Sequence, residues 1–90
     1  MVETLERVQQ LVRKSAHSPW SVSDPLALAA SLEKEIKCLR TRGRFRWFGK
    51  FKMKVLFAPA GDLQEISIFS GWDEEFLELS SRFDDELARL

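Results

Sequence analysis

The sequence predicts a single α+β domain spanning residues 1–90, and three observations lead to this prediction. Apolar residues recur at helical spacing in two N-terminal segments and in one C-terminal segment. From about residue 43 to 70, apolar and charged residues alternate with a period of two, which is typical of β-strands. A chain of 90 residues can bury one compact core. We therefore expect two N-terminal helices, a two- or three-stranded antiparallel sheet, and a C-terminal amphipathic helix packed on the apolar face of that sheet.

The first predicted helix covers residues 2–16. Leu5, Val8 and Val12 recur at helical spacing and would form its buried stripe. Pro19 follows closely, and proline disfavours the helical conformation in the residue before it. The helix is therefore expected to end near Ala16.

The second predicted helix begins at a strong start signal. Asp24 can cap the helix with its side chain, and Pro25 suits the first helical position, where no backbone N–H is needed. Gly43 is available as a C-terminal stop. We expect this helix to end at Leu39 or Thr41.

Alternation of charge and apolar character predicts the central strands. Bases occupy even positions and apolar residues occupy odd positions, so that one strand face would be basic and the other apolar. The even-numbered bases are Arg42, Arg44, Arg46, Lys50, Lys52 and Lys54, and the odd-numbered apolar residues are Phe45, Trp47, Phe51, Met53, Val55 and Phe57. Gly49 lies either at a bend of one strand or in a three-residue turn between two, and the alternation is compatible with both.

A turn at residues 59–62 is predicted to connect to a further strand. A four-residue loop there would place Phe57 opposite Gln64 and Val55 opposite Ile66, which keeps the apolar faces together. The sheet is expected to end near Ser70, which could cap the last helix.

The C-terminal helix has the strongest periodicity in the chain. Its apolar residues are separated by three or four positions, and acidic residues occupy most of the remaining surface. The apolar residues are Trp72, Phe76, Leu79, Phe83, Leu87 and Leu90.

The charges cancel overall but are segregated along the chain. The 14 basic and 14 acidic side chains give a net charge of zero. Residues 1–39 are balanced, residues 40–54 contain seven bases and no acid, and residues 62–90 contain nine acids against two bases. The sequence leaves open whether the basic and acidic segments neutralise each other within one molecule.

No constellation of residues predicts catalysis. The chain contains no nucleotide-binding glycine motif and no zinc-protease motif, and His17 and Cys38 are its only histidine and cysteine. We interpret His17 as a surface or capping residue and Cys38 as a small apolar residue at the edge of the second helix. We therefore expect no enzyme activity, no cofactor and no metal site.

The cellular location is predicted from absences in the sequence. One cysteine excludes an internal disulfide, no apolar signal region is visible near the N-terminus, and no apolar run approaches the length of a membrane span. A cytoplasmic protein that does not bind membranes is expected.

The basic strand face is the feature that predicts function. Like charges on one face repel each other, so the face either protects a sheet edge, is neutralised by the acidic segment, or binds a partner. We favour a small non-enzymatic protein-interaction domain, adaptor or regulatory, that docks an acidic protein surface, for which a second copy of the chain is one candidate. The predicted binding residues are Arg42, Arg44, Arg46, Phe48, Lys50, Lys52 and Lys54.

The alternative function is weak binding of single-stranded nucleic acid by the same face. Phe48 would then stack on a base while the arginines and lysines contact phosphates. The isoelectric point of about 6.6 lies far below the values typical of nucleic-acid-binding domains, which disfavours this alternative.

Overall fold

The computed structural model describes residues 1–16, 24–59 and 61–89, and in these residues it is all-helical. The five helices are α1 (Val2–Arg13), α2 (Pro25–Arg42), α3 (Trp47–Phe57), α4 (Asp62–Ser70) and α5 (Asp73–Ala88). The described residues contain no β-strand. The predicted α+β class, with its antiparallel sheet over 43–70, is therefore wrong, and the C-terminal helix has no sheet to pack on.

The two N-terminal helices are present where the sequence predicted them, although α1 ends at Arg13 rather than near Ala16 and α2 continues to Arg42. In α1, Leu5, Val8 and Val12 are fully buried. In α2, the Asp24 carboxylate accepts a hydrogen bond from the backbone N–H of Leu26 at 3.1 Å, as expected for a capping residue. Gly43 ends α2 with φ of 73°, a left-handed conformation that glycine adopts without strain. Pro19, the residue expected to limit α1, lies outside the described residues.

The segment predicted as strands instead folds into a helical hairpin. Helix α3 buries Met53, Leu56 and Phe57, a helical spacing that combines odd and even positions. Helix α4 buries Leu63 and Ile66 in the same way. Short apolar runs are compatible with the periods of both an α-helix and a β-strand. In this segment, packing against neighbouring helices favours the helix. The predicted strand register, which paired Phe57 with Gln64, therefore does not exist.

The last helix is present, although its start and its packing differ from the prediction. Ser70 is the last residue of α4 and does not cap α5, which is preceded by Trp72. Helix α5 packs against α1 and α4. The predicted apolar residues are buried, except Leu90, which lies outside the described residues; the buried ones are Trp72, Phe76, Leu79, Phe83 and Leu87.

One apolar core joins all five helices. Helix α1 contacts α2, α4 and α5, and α3 packs along α4. Phe57 at the end of α3 reaches α5, where its ring centroid lies 4.2 Å from that of Phe83 and 6.2 Å from that of Phe76. The hydroxyl of Ser80 also donates to the carbonyl oxygen of Phe57 at 3.3 Å. These contacts fix the α3–α4 hairpin against the rest of the domain.

Polar contacts also connect α1 to α5. The Glu86 carboxylate accepts hydrogen bonds from the fully buried Thr4 hydroxyl and, at 2.7 Å, from the Met1 amino group. Burial raises the pKa of Glu86, but these two hydrogen bonds outweigh it, and the pKa is lowered overall. A second contact pairs Arg7 with Glu75 at 2.5 Å, and it lowers the pKa of the Glu75 carboxyl.

We predict that Glu86→Gln lowers stability at neutral pH by about 1 kcal/mol, or about 4–8 °C in Tm, because glutamine keeps an acceptor for Thr4 but loses the charge. The folded-state pKa of Glu86 lies below its unfolded value, so the contribution is present above pH of about 4.3 and is lost as the pH falls through the lower folded pKa. Thermal unfolding of both proteins across this pH range measures the effect. A difference in Tm that stays constant down to the lowest pH would contradict it.

Candidate interaction site

The predicted binding residues lie along the C-terminal end of α2, the following loop and α3. Arg42 ends α2, Arg44 lies in the loop, and Arg46 immediately precedes α3. The others are on α3: Phe48, Lys50, Lys52 and Lys54. All seven are exposed. The prediction of a basic strand face is wrong, because a helix distributes these side chains around its axis.

The exposed side of α3 carries an apolar stripe. Trp47, Phe51 and Val55 follow each other at intervals of four residues and are 79%, 61% and 54% exposed. Phe48, which is 75% exposed, lies beside them with its ring 5.4 Å from that of Trp47 in a T-shaped arrangement. We call these four residues the α3 stripe. Large apolar side chains grouped on a surface mark an interaction site more often than scattered ones do.

Lysines border the α3 stripe on both sides. At 100° per residue, Lys50 and Lys54 project on the side of Trp47, whereas Lys52 projects on the side of Phe48. The alternation of charged and apolar residues had placed Trp47, Phe51 and Val55 on a buried strand face, so their exposure to solvent was not predicted. Helix α3 thus presents an apolar centre with a basic rim, which is an amphipathic arrangement turned towards solvent.

The basic rim has no acidic partner within the described residues. The ion pairs there join Met1 to Glu86, Arg7 to Glu75 and Arg40 to Glu6. None of them involves a base of residues 42–54. Within the described residues, no ion pair joins a base of residues 42–54 to a carboxylate of α5.

The acidic segment also presents an unpaired surface. Helix α5 carries five exposed carboxylates that form no ion pair in the described structure, and the exposed Leu77 lies among them. These carboxylates are Asp73, Glu74, Glu78, Asp84 and Asp85. The molecule therefore has one basic and one acidic surface, on different helices.

A cavity of about 580 Å³ lies between α2 and α3, next to the α3 stripe. Five bases line it: Lys34, Lys37, Arg42, Arg46 and Lys52. Phe48 and Glu35 also line it. The volume falls within the range typical of small-ligand sites, roughly 300–1,000 Å³. Three of its bases were predicted as binding residues, whereas Lys34, Lys37 and Glu35 were not.

Glu35 is the unusual residue of this cavity. It is only 7% exposed, and within the described structure its carboxylate has no hydrogen bond and no ion pair. The carboxyl group lies directly over Gly49, where a Cβ atom would be 2.9 Å from the Glu35 carboxyl carbon. The burial of Glu35 could have been predicted from the sequence, because Glu35 follows the same helical spacing as Leu28, Leu32 and Leu39, which are buried in α2.

Of the two residues considered for catalysis, the structure describes only Cys38. Cys38 is partly exposed, and its thiol donates to the carbonyl oxygen of Arg44 at 3.4 Å. His17 lies outside the described residues. Within the residues that are described, no three potential metal ligands come together, and no helix combines the length and apolar character needed to cross a membrane.

Comparison of the chain with protein-family models, curated proteins and solved structures finds no match. The functional interpretation therefore depends on the geometry of this surface. An exposed apolar stripe, a basic rim and a lined cavity are features typical of binding surfaces.

We predict that Phe51→Ala changes the free energy of unfolding by less than about 0.5 kcal/mol, whereas Met53→Ala costs about 2–5 kcal/mol. Phe51 is mostly exposed, but Met53 is fully buried two positions further along α3. Urea unfolding of the two variants measures both values. A strand would place the two side chains on the same face, so similar large losses for both would contradict the helical arrangement.

Proposed function

We propose that this protein is a small non-enzymatic interaction domain, adaptor or regulatory, that binds an acidic protein surface through α3 and the loop before it. The observation that carries the proposal is that the α3 stripe and its basic rim are both exposed, and that no ion pair among the described residues involves the rim. Folding alone gives no reason to gather like charges around exposed aromatic rings. A partner that supplies carboxylates and apolar contacts accounts for both.

The composition of the surface supports a protein partner. Interfaces between proteins are enriched in tryptophan, phenylalanine and arginine, and their tightest contacts place aromatic side chains at the centre with polar groups around them. Burying a side chain such as Phe51 or Val55 completely contributes about 1.5–3 kcal/mol. The charged rim would mainly set the rate of association and the choice of partner.

Single-stranded nucleic acid and anionic membranes are disfavoured by the same feature. Both are extended polyanions, and the exposed carboxylates of α5 would be repelled by them at low salt. Val55 also has no ring with which to stack on a base. An acidic protein surface is limited in area and can meet α3 without approaching α5.

A second copy of the chain is one partner with suitable chemistry. The exposed side of α5 carries five carboxylates around Leu77, which complements a basic rim around an apolar stripe. Such a contact joins unlike surfaces, so it would form either a closed symmetric pair or an open chain of molecules.

We predict that a photo-crosslinking residue in place of Phe51 captures protein in the cells that produce this chain, and that the captured peptides are rich in aspartate and glutamate. The matched control replaces Leu26, which is similarly exposed but lies at the start of α2. Adding Lys50→Glu and Lys54→Glu to the Phe51 probe should reduce the captured protein about tenfold or more, because two of the three charges of the rim are reversed.

The products distinguish the alternatives. A nuclease-sensitive product or a lipid-sized adduct at position 51 would replace the protein partner with nucleic acid or membrane, and no product at all would overturn the proposal. Sedimentation of the purified chain tests the second copy. Self-association predicts a mass that falls as salt rises.

A further inference from the structure

The cavity between α2 and α3 brings an unused hydrogen-bond acceptor together with basic and aromatic side chains. The Glu35 side chain is 7% exposed and lines this cavity, and no described residue donates a hydrogen bond to its carboxylate. No buried side-chain oxygen of the described residues lacks a partner, so the carboxylate oxygens of Glu35 are reached by water. A ligand in the cavity could replace this water and donate to the carboxylate.

The rest of the lining defines what else the ligand must contain. Five exposed lysine and arginine side chains line the same cavity as Glu35, and this excess of positive charge suits an anionic group such as a phosphate. The ring of Phe48 lines it too and offers a flat surface for stacking. Lys52 is already held, since its amino group contacts the hydroxyl of Ser31 at 3.1 Å.

We propose that this cavity binds a nucleotide, with the phosphates on the basic side chains, the base against Phe48, and the edge of the base donating to Glu35. A nucleotide combines an anionic group, a flat ring and N–H donors in one molecule of suitable size. A simple polyphosphate lacks the ring and the donors. A neutral aromatic compound lacks the charge that suits five bases.

Glu35 further favours guanine over adenine. A carboxylate only accepts hydrogen bonds, and guanine offers two adjacent N–H donors on its Watson–Crick edge. Adenine places an acceptor beside its donor, so one carboxylate oxygen would face a ring nitrogen. Glutamine, in contrast, pairs with adenine through one donor and one acceptor.

This site goes beyond the proposed function, although the two surfaces share several side chains. Phe48, Arg42, Arg46 and Lys52 are common to the cavity and the interaction surface. Glu35 belongs to the cavity alone. Trp47 is separate from this lining and projects from the opposite side of α3 from Gly49.

Calorimetry on the full chain with guanosine diphosphate, adenosine diphosphate and pyrophosphate tests the proposal. We expect guanosine diphosphate to bind about tenfold more tightly than adenosine diphosphate and more tightly than pyrophosphate. Binding of all three with equal affinity would reduce the site to a phosphate cluster and overturn the nucleotide assignment. No binding at low salt would overturn the site altogether.

Two variants separate ligand recognition from folding. Glu35→Gln should reduce the preference for guanine over adenine from about tenfold to about one or below, and it should leave pyrophosphate binding unchanged. The matched control is Glu78→Gln on α5, which should change neither the guanine preference nor pyrophosphate binding. Gly49→Ala should weaken guanosine diphosphate binding, because the new methyl group displaces the Glu35 carboxyl, while helicity and stability are retained or slightly increased. An unchanged guanine preference in Glu35→Gln would exclude recognition by Glu35.

The two proposals fail independently. Trp47→Ala should weaken partner capture and leave nucleotide binding unchanged. Glu35→Gln should weaken guanine nucleotide binding and leave partner capture unchanged. Loss of both in either variant, with the helix content retained by circular dichroism, would mean that there is one site and not two.

Discussion

The rotation of α3 about its own axis is the constraint on which the candidate sites depend. Phe57 sets this rotation, because its ring lies against Phe83 and its carbonyl oxygen accepts a hydrogen bond from Ser80. With Phe57 and Met53 turned into the core, the helical period directs Trp47, Phe51 and Val55 outward. It also turns Gly49 towards α2, so that the carboxyl group of Glu35 can lie over its backbone. One aromatic contact thus determines which residues face solvent, which face the cavity and which are buried.

Part of this fold is readable from the sequence because part of it is local. Asp24, Pro25 and Gly43 define the limits of α2 through backbone geometry that needs no distant contact. The residues around Phe51 are different. Their alternation of charged and apolar residues fits a strand, whereas their amino-acid composition is also compatible with a helix. Only the surfaces of α4 and α5 decide between the two. The prediction failed where the information lies in residues distant along the chain.

The candidate sites likewise contain residues that the sequence could identify and residues that it could not. Exposure of the lysines and arginines of residues 42–54 follows from their charge in either fold, and the sequence was sufficient to select them. The role of Phe51 depends on the fold, and it changed from a core residue to an exposed one. Glu35 occupies an apolar position within α2, which a reading of the helix alone could have detected. Its proximity to Gly49 required the tertiary structure.

The separation of the unpaired bases near α3 from the unpaired carboxylates of α5 gives this molecule, whose net charge is zero, a permanent electric dipole moment. The domain is 34 Å long in its largest dimension, which is several times the screening distance at physiological salt, about 8 Å. A charged body therefore interacts mainly with the surface that it approaches to within about this distance, and the opposite charge elsewhere on the molecule is largely screened from it. The net charge of zero thus does not describe what a partner meets, and the orientation of an encounter is selected at short range.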